Sequence, residues 1–273
     1  MPAPGRIASR SFPFHARTAV AAALVLAFIP GVARNAPAYP TRVEERAKKA
    51  GDISNLATTL VDLEATIKVT KYDSAELEKI GSDFKTTYSL RNLNFQYKQP
   101  DKIRLEGRSQ TRGGAVLIMN GAMRYYEVPK LKLRKSENLM AHPGKRQSLL
   151  EYAGLVSLGT LQFMDSKFLR EEKSGDSEAA VYEMHFQGED KGSFYRVWID
   201  KQTRVTVKRE WCDGAGKLRA TFLYGDAKEI APGVWLPTRV EVKNADGISA
   251  AVLSMTDIKA NQGLTDEPFA LTP

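Results

Sequence analysis

Apolar and polar positions alternate with period two through most of the stretch from Phe194 to Val242. Val205, Val207 and Trp211 fall on one face of a strand, with Thr206, Lys208 and Glu210 on the other. Leu218, Ala220, Phe222 and Tyr224 alternate with Arg219 and Thr221, and Leu236, Val240 and Val242 with Trp235, Arg239 and Glu241. Successive side chains of a strand point to opposite faces, so the pattern predicts a two-faced sheet. The breaks carry turn chemistry: residues 200–203, 212–216, Pro232-Gly233 and residues 244–247. Four strands with short links form a meander, and a meander that curls can wrap an apolar face around a ligand.

The pattern extends to both sides. Thr41 to about Thr66 has helical spacing, then Leu63 to Tyr72 reads as a strand. Ser74 to Ile80 fits either a short helix or an extended insertion. Strands follow at Leu90 to Gln99, Lys102 to Ser109, Gly114 to Asn120 and Met123 to Val128, with Asn120-Gly121 as a hairpin signal. Lys130 to Lys135 alternates strictly, placing Lys130, Lys132 and Arg134 opposite Leu131 and Leu133. Lys145 to Asp165 interrupts the strands with a helical segment apolar around most of its circumference, weakened by Gly154 and Gly159. Leu169 to Lys173, Ala180 to Gln187, Ser249 to Thr256 and the tail at Phe269 to Pro273 complete the expected sheet.

Targeting changes which residues matter. Arg6, Arg10 and Arg17 precede an apolar run from Thr18 to Ile29, and Ala36-Pro-Ala38 supplies small residues for cleavage. This is the pattern of a secretory signal peptide over 1–38, and the run is too short for a membrane span. One exported domain over 39–273 is expected, a soluble monomer of 235 residues with formal charge about +4. That charge lacks the dense basic, aromatic-interleaved block of a nucleic-acid binder. Cys212 is the only cysteine, so no internal disulfide can form, and its place after Trp211 suggests a buried, inert thiol.

Reaction chemistry has little to stand on. His142 and His185 lack partners at zinc-site spacing, and Gly175-Asp-Ser177 lacks the second glycine of a nucleophile elbow. No catalytic residue, metal site or cofactor is expected, and the chain reads as a binding protein rather than an enzyme. The apolar central segment is either core or a lid over a cavity. The basic side of Lys130–Lys135 is either a solvated edge or a docking patch for an acidic partner. The apolar face of the meander is either core or a ligand lining.

Several short motifs, in order, carry a resemblance. They are Tyr97-Lys-Gln-Pro100 with Lys102-Ile-Arg-Leu-Glu106, Asn120-Gly121 leading to Tyr125-Tyr126 and Pro129, and Val197-Trp-Ile-Asp200. The turn at 213–216, Gly233-Val-Trp-Leu-Pro237-Thr238, Asn261 to Leu264 and the Phe269–Pro273 ending complete them. The chain resembles the outer-membrane lipoprotein-sorting superfamily of LolA/LolB-like periplasmic carriers. The resemblance implies a mainly β (α+β) fold, a curved antiparallel sheet forming an unclosed β-barrel with an N-terminal helix and a central lid. It implies a periplasmic carrier that shields the acyl chains of a lipoprotein or lipid, with transient membrane-protein donors or acceptors. Gln99 stands where the family's carrier has a basic residue that latches the lid. A lipid-responsive sensor that binds a membrane-protein segment is the alternative. The lid would contribute Leu149, Leu155, Leu158, Phe163 and Met164 to the cavity, and the sheet Val197, Ile199, Phe222 and Tyr224. Lys130, Lys132 and Arg134 are the candidate docking residues.

Overall fold

The computed structural model describes residues 60–109, 113–140, 154–156, 161, 163–175, 177–187 and 192–271. The predicted signal peptide and most of the helix predicted over 41–66 lie outside them. Thirteen strands form one antiparallel sheet. They begin with β1 (Asp62–Tyr72), β2 (Asn92–Lys98), β3 (Lys102–Ser109), β4 (Gly113–Asn120), β5 (Met123–Val128) and β6 (Leu133–Asn138). Then come β7 (Met164–Ser174), β8 (Ser177–Phe186), β9 (Phe194–Asp200), β10 (Thr206–Cys212), β11 (Leu218–Ala231), β12 (Val234–Asn244) and β13 (Ser249–Ala260). The spatial order is β6-β5-β4-β3-β2-β1-β13-β12-β11-β10-β9-β8-β7, so β6 and β7 are the free edges. The meander from β9 to β12 forms as the sequence predicts, except for the facing of residues within β10.

Two short helices, α1 (Ser74–Ile80) and α2 (Ser82–Tyr88), link β1 to β2. Asp73 decides the open reading of the first in favour of a helix. Its Oδ1 accepts from the N–H groups of Ala75 and Glu76 at 3.0 and 3.1 Å, which supplies the N-cap. Lys79 in the last turn complements the carboxyl end of the helix.

The sheet is an unclosed barrel around a core on one face. Leu63, Ile67, Leu93, Phe95, Tyr97 and Phe222 are almost fully buried, together with Leu77 and Ile80 of α1. On α2, Phe84 stacks on Trp211 of β10 at 5.8 Å and lies 6.1 Å from Phe222 of β11. On a flat sheet β10 would lie about 19 Å from β1. The curl brings these side chains within reach of each other.

Four local expectations are corrected. Residues 62–66 are strand, because their alternation buries Leu63 and Ala65 beneath the core and overrides helical spacing. Met164 and Asp165 open β7 rather than closing a helix. The run Lys130–Lys135 is not one strand: Pro129–Leu131 is a 3-10 turn, Lys132 is left-handed with φ 50°, and β6 begins at Leu133. Pro129 fixes the entry to that turn and Lys132 reverses the chain, so the three cations share no strand face. The tail likewise adds no strand; Glu267–Phe269 is a 3-10 turn.

Candidate functional site

Paired residues of neighbouring antiparallel strands share a face. One row therefore crosses seven strands: Phe168, Tyr182, Val197, Arg209, Phe222, Val242 and Ala251. Six members are apolar or aromatic, and the five apolar residues from Tyr182 to Ala251 are buried. Phe168, on edge strand β7, is 52% exposed and meets Tyr182 edge-on at 5.6 Å. This is the inner face of the barrel.

The link between the two free edges, residues 139–163, contains most of the helical segment predicted over Lys145–Asp165 as core or lid. It leaves β6 at one edge and joins β7 at the other. Most of it lies outside the described residues; Gly154–Val156 and Leu161 lie on the inner face. Gly154 packs against the Tyr224 ring and Pro237. Leu155 packs on the core cluster of β1, β2 and β11, while Val156 and Leu161 join Tyr182, Met184, Tyr195 and Val197. Phe163 is buried just before β7.

The exception in the row is Arg209, which is 5% exposed. Sequence alternation puts Val207 on the face of Trp211, with Lys208 opposite. A β-bulge between Thr206 and Lys208 overturns that. Thr206 pairs with inner-face Ile199, whereas Val207 and Lys208 both lie behind the sheet, against Val181 and Trp198. A bulge adds one residue and inverts the facing beyond it. Thr206 before the bulge and Arg209 and Trp211 beyond it therefore all turn inward. The Arg209 guanidinium lies 5.4 Å from the Tyr195 ring centre and 5.9 Å from that of Tyr224.

The outer face carries two small apolar clusters, one behind β8–β10 and one strapped by the C-terminal tail. Phe269 buries itself against Ile118 and Tyr125. The Asp62 carboxylate accepts from the N–H groups of Gln262, Gly263 and Leu264 at 2.8, 2.9 and 3.1 Å. Asp266 bridges Lys98 and Lys102 at 2.7 and 2.8 Å, and hydrogen bonds from Lys102 and then Lys98 lower its pKa to about 2. A groove of about 580 Å³ also opens on this face, lined by Thr66, Asn94, Glu106, Arg108 and Val116 among others. Its lining mixes these polar side chains with Leu93, Ala115 and Pro129.

Chemistry for a reaction is thin where the structure can be read. Among the described residues no group of three His, Cys, Asp or Glu side chains can hold a metal ion. His185 is a half-exposed residue stacked on Phe194, with Nε2 2.9 Å from Glu183. Cys212 is buried, and burial pushes its thiol pKa up.

The architecture recurs in solved structures. An outer membrane lipoprotein-sorting protein domain from Vibrio parahaemolyticus matches with a TM-score of 0.59 at 14% identity, over 83% of this chain and 97% of that one. The fold is LolA-like. A DUF1329 family protein from Desulfovibrio piger gives a TM-score of 0.55 at 12% identity, covering 84% and 97%. A LolA superfamily protein from Nitrosomonas europaea gives 0.50 at 18%, covering 84% and 97%. At these identities the likeness is one of fold. A family model described as an uncharacterized protein matches residues 150–272. No curated protein matches the chain.

Within this LolA-like fold, the sheet residues predicted to line a cavity, Val197, Ile199, Phe222 and Tyr224, are all buried on the inner face. Leu155 and Met164 accompany them, Met164 as the first residue of β7, and Phe163 is buried beside it. Leu149 and Leu158 lie outside the described residues. Of the proposed docking residues, Arg134 is held by Glu127 at 2.8 Å, Lys130 sits within the 3-10 turn and Lys132 caps it. Sequence reasoning missed Arg209. Its only trace was a run of three charges, Lys208-Arg-Glu210, inside a strand that has to bury one of them.

Proposed function

We propose that the protein is a periplasmic carrier that shields the acyl chains of a lipid or lipoprotein on its inner face, without catalysis. The observation that carries the reading is the contact between the link and the inner face. The link joins the two free edges of the sheet, and its described residues Gly154–Val156 and Leu161 rest on the apolar inner face. Such a segment satisfies the inner face when no cargo is present and yields it when cargo arrives, as two states of one surface. Each buried methylene of the cargo contributes about 0.8 kcal/mol, so one acyl chain supplies enough to displace a modest apolar contact. Support also comes from the fold shared with a protein named for lipoprotein sorting. No described helix is long and apolar enough to cross a membrane.

Native mass spectrometry of the protein isolated gently from bacterial periplasm tests the proposal. Co-purifying lipid or acylated protein is the expected result. Polypeptide that is consistently bare, and that takes up no lipid from vesicles, would overturn it.

A further inference from the structure

Strand β10 turns three polar groups toward the inner face. The Thr206 hydroxyl, Nε of Arg209 and the indole N–H of Trp211 are all buried, and none has a hydrogen-bond partner among the described residues. Burying a cation without a counter-charge is costly, and an aromatic face compensates for only part of the loss. The rings of Tyr195 and Tyr224 flank the guanidinium, but neither carries a formal charge at neutral pH. Arginine and tryptophan side chains carry only donors. The group that completes this site must be an acceptor, and the guanidinium calls for a negative one.

We infer that Arg209, with Thr206 and Trp211, receives the acid group of an amphiphilic cargo, a carboxylate or a phosphate ester at the head of an acyl chain. The inference rests on the carrier reading and names the cargo's chemical class. A guanidinium presents paired donors that match either oxyanion two at a time. Val197 and Phe222, paired with Arg209 on either side, supply apolar surface for the chain beyond the head. Tyr224 joins the site to the link segment: its ring centre lies 5.9 Å from the Arg209 guanidinium, and its ring leaves no room for a Cβ on Gly154. An acid head at Arg209 therefore lies next to the segment that a bound chain has to move.

Titration of the delipidated protein with dodecanoate, dodecyl phosphate, dodecanol and inorganic phosphate, followed by Trp fluorescence and calorimetry, tests this. The two acids are expected to bind about tenfold to a hundredfold more tightly than the alcohol, the range of a charge-assisted hydrogen bond in a buried site. In Arg209→Met that preference should collapse toward one, and Arg209→Lys should keep part of it. Equal binding of acids and alcohol by the unaltered protein overturns the inference and leaves the carrier reading standing. Absence of binding by every chain-bearing ligand defeats the carrier reading itself. If inorganic phosphate binds as tightly as dodecyl phosphate, the site is a small-anion site and the lipid assignment fails. The comparison within the unaltered protein requires no variant to fold.

Discussion

Gly154 lies against the face of Tyr224 so closely that a Cβ built on it would fall 2.8 Å from Cδ1 and 3.0 Å from Cε1 of the ring. Its φ of +63° belongs to the left-handed region. Two independent reasons therefore favour glycine at the point where the link meets the inner face.

Gly154→Ala should loosen the link from the sheet. The left-handed backbone costs a side chain about 1–2 kcal/mol, and overpacking about 1–3 kcal/mol more. If the link separates locally to relieve the clash, the global melting temperature falls little. Binding of a hydrophobic dye and proteolytic cleavage between residues 139 and 163 should then rise. A variant with unchanged dye binding and cleavage would show that this contact does not hold the link down.

Asp62→Ala should release the C-terminal tail. Removing the carboxylate strips the partner from three backbone N–H groups, at roughly 1–3 kcal/mol for each one that water does not reach. Partial hydration makes a total loss of about 2–4 kcal/mol the expected figure. Hydrogen exchange at Gln262, Gly263 and Leu264 should accelerate ahead of global unfolding, and Asp62→Asn should fall between the two.

The Asp266 clasp should respond to acid. Lys102 and Lys98 hold its carboxyl at a pKa of about 2 in the folded chain, below its ordinary value near 3.8. A depressed pKa contributes stability that is fully present above the unfolded value and is lost as pH falls from about 4 through 2. Asp266→Asn should therefore flatten the acid limb of the stability curve in that window and leave the neutral region less stable by a constant amount. Because Asp266 is exposed, high salt should shrink the difference. Thermal melts of both proteins from pH 2 to 7 check this.

Cys212 should be silent toward thiol reagents in the native protein. Burial raises its pKa and removes access, so a disulfide-exchange reagent should react only as the chain unfolds. Rapid labelling of native protein would place the thiol in a more open environment than the one described here.

Much of the site was legible from sequence because strands announce themselves locally. Phe222 and Tyr224 fall on one face of an alternating run, and Val197 and Ile199 on one face of another, so their common burial follows from period two. The segment predicted as helical over Lys145–Asp165, because apolar residues cover most of its circumference, lies largely outside the described residues. Arg209 was not legible, because alternation sets it on the face of Trp211 but a lone cation there does not tell which face curls inward, and the bulge before it leaves no mark in composition. The stripe of Lys130, Lys132 and Arg134 failed for a related reason: alternation of types was present, but Pro129 and the left-handed Lys132 broke the strand.

The sequence by itself determined a chain of alternating strands, the turns between them and one apolar interruption, because those depend on neighbours within a few residues. Only the tertiary structure decided which face is inside, since alternation defines two faces and leaves the sense of curl open. It also decided that Gly154 would meet Tyr224, and that Asp62 would hold Gly263 across some 200 positions of chain. Contacts at such separations arise when the curled sheet brings distant strands side by side. No local pattern encodes them.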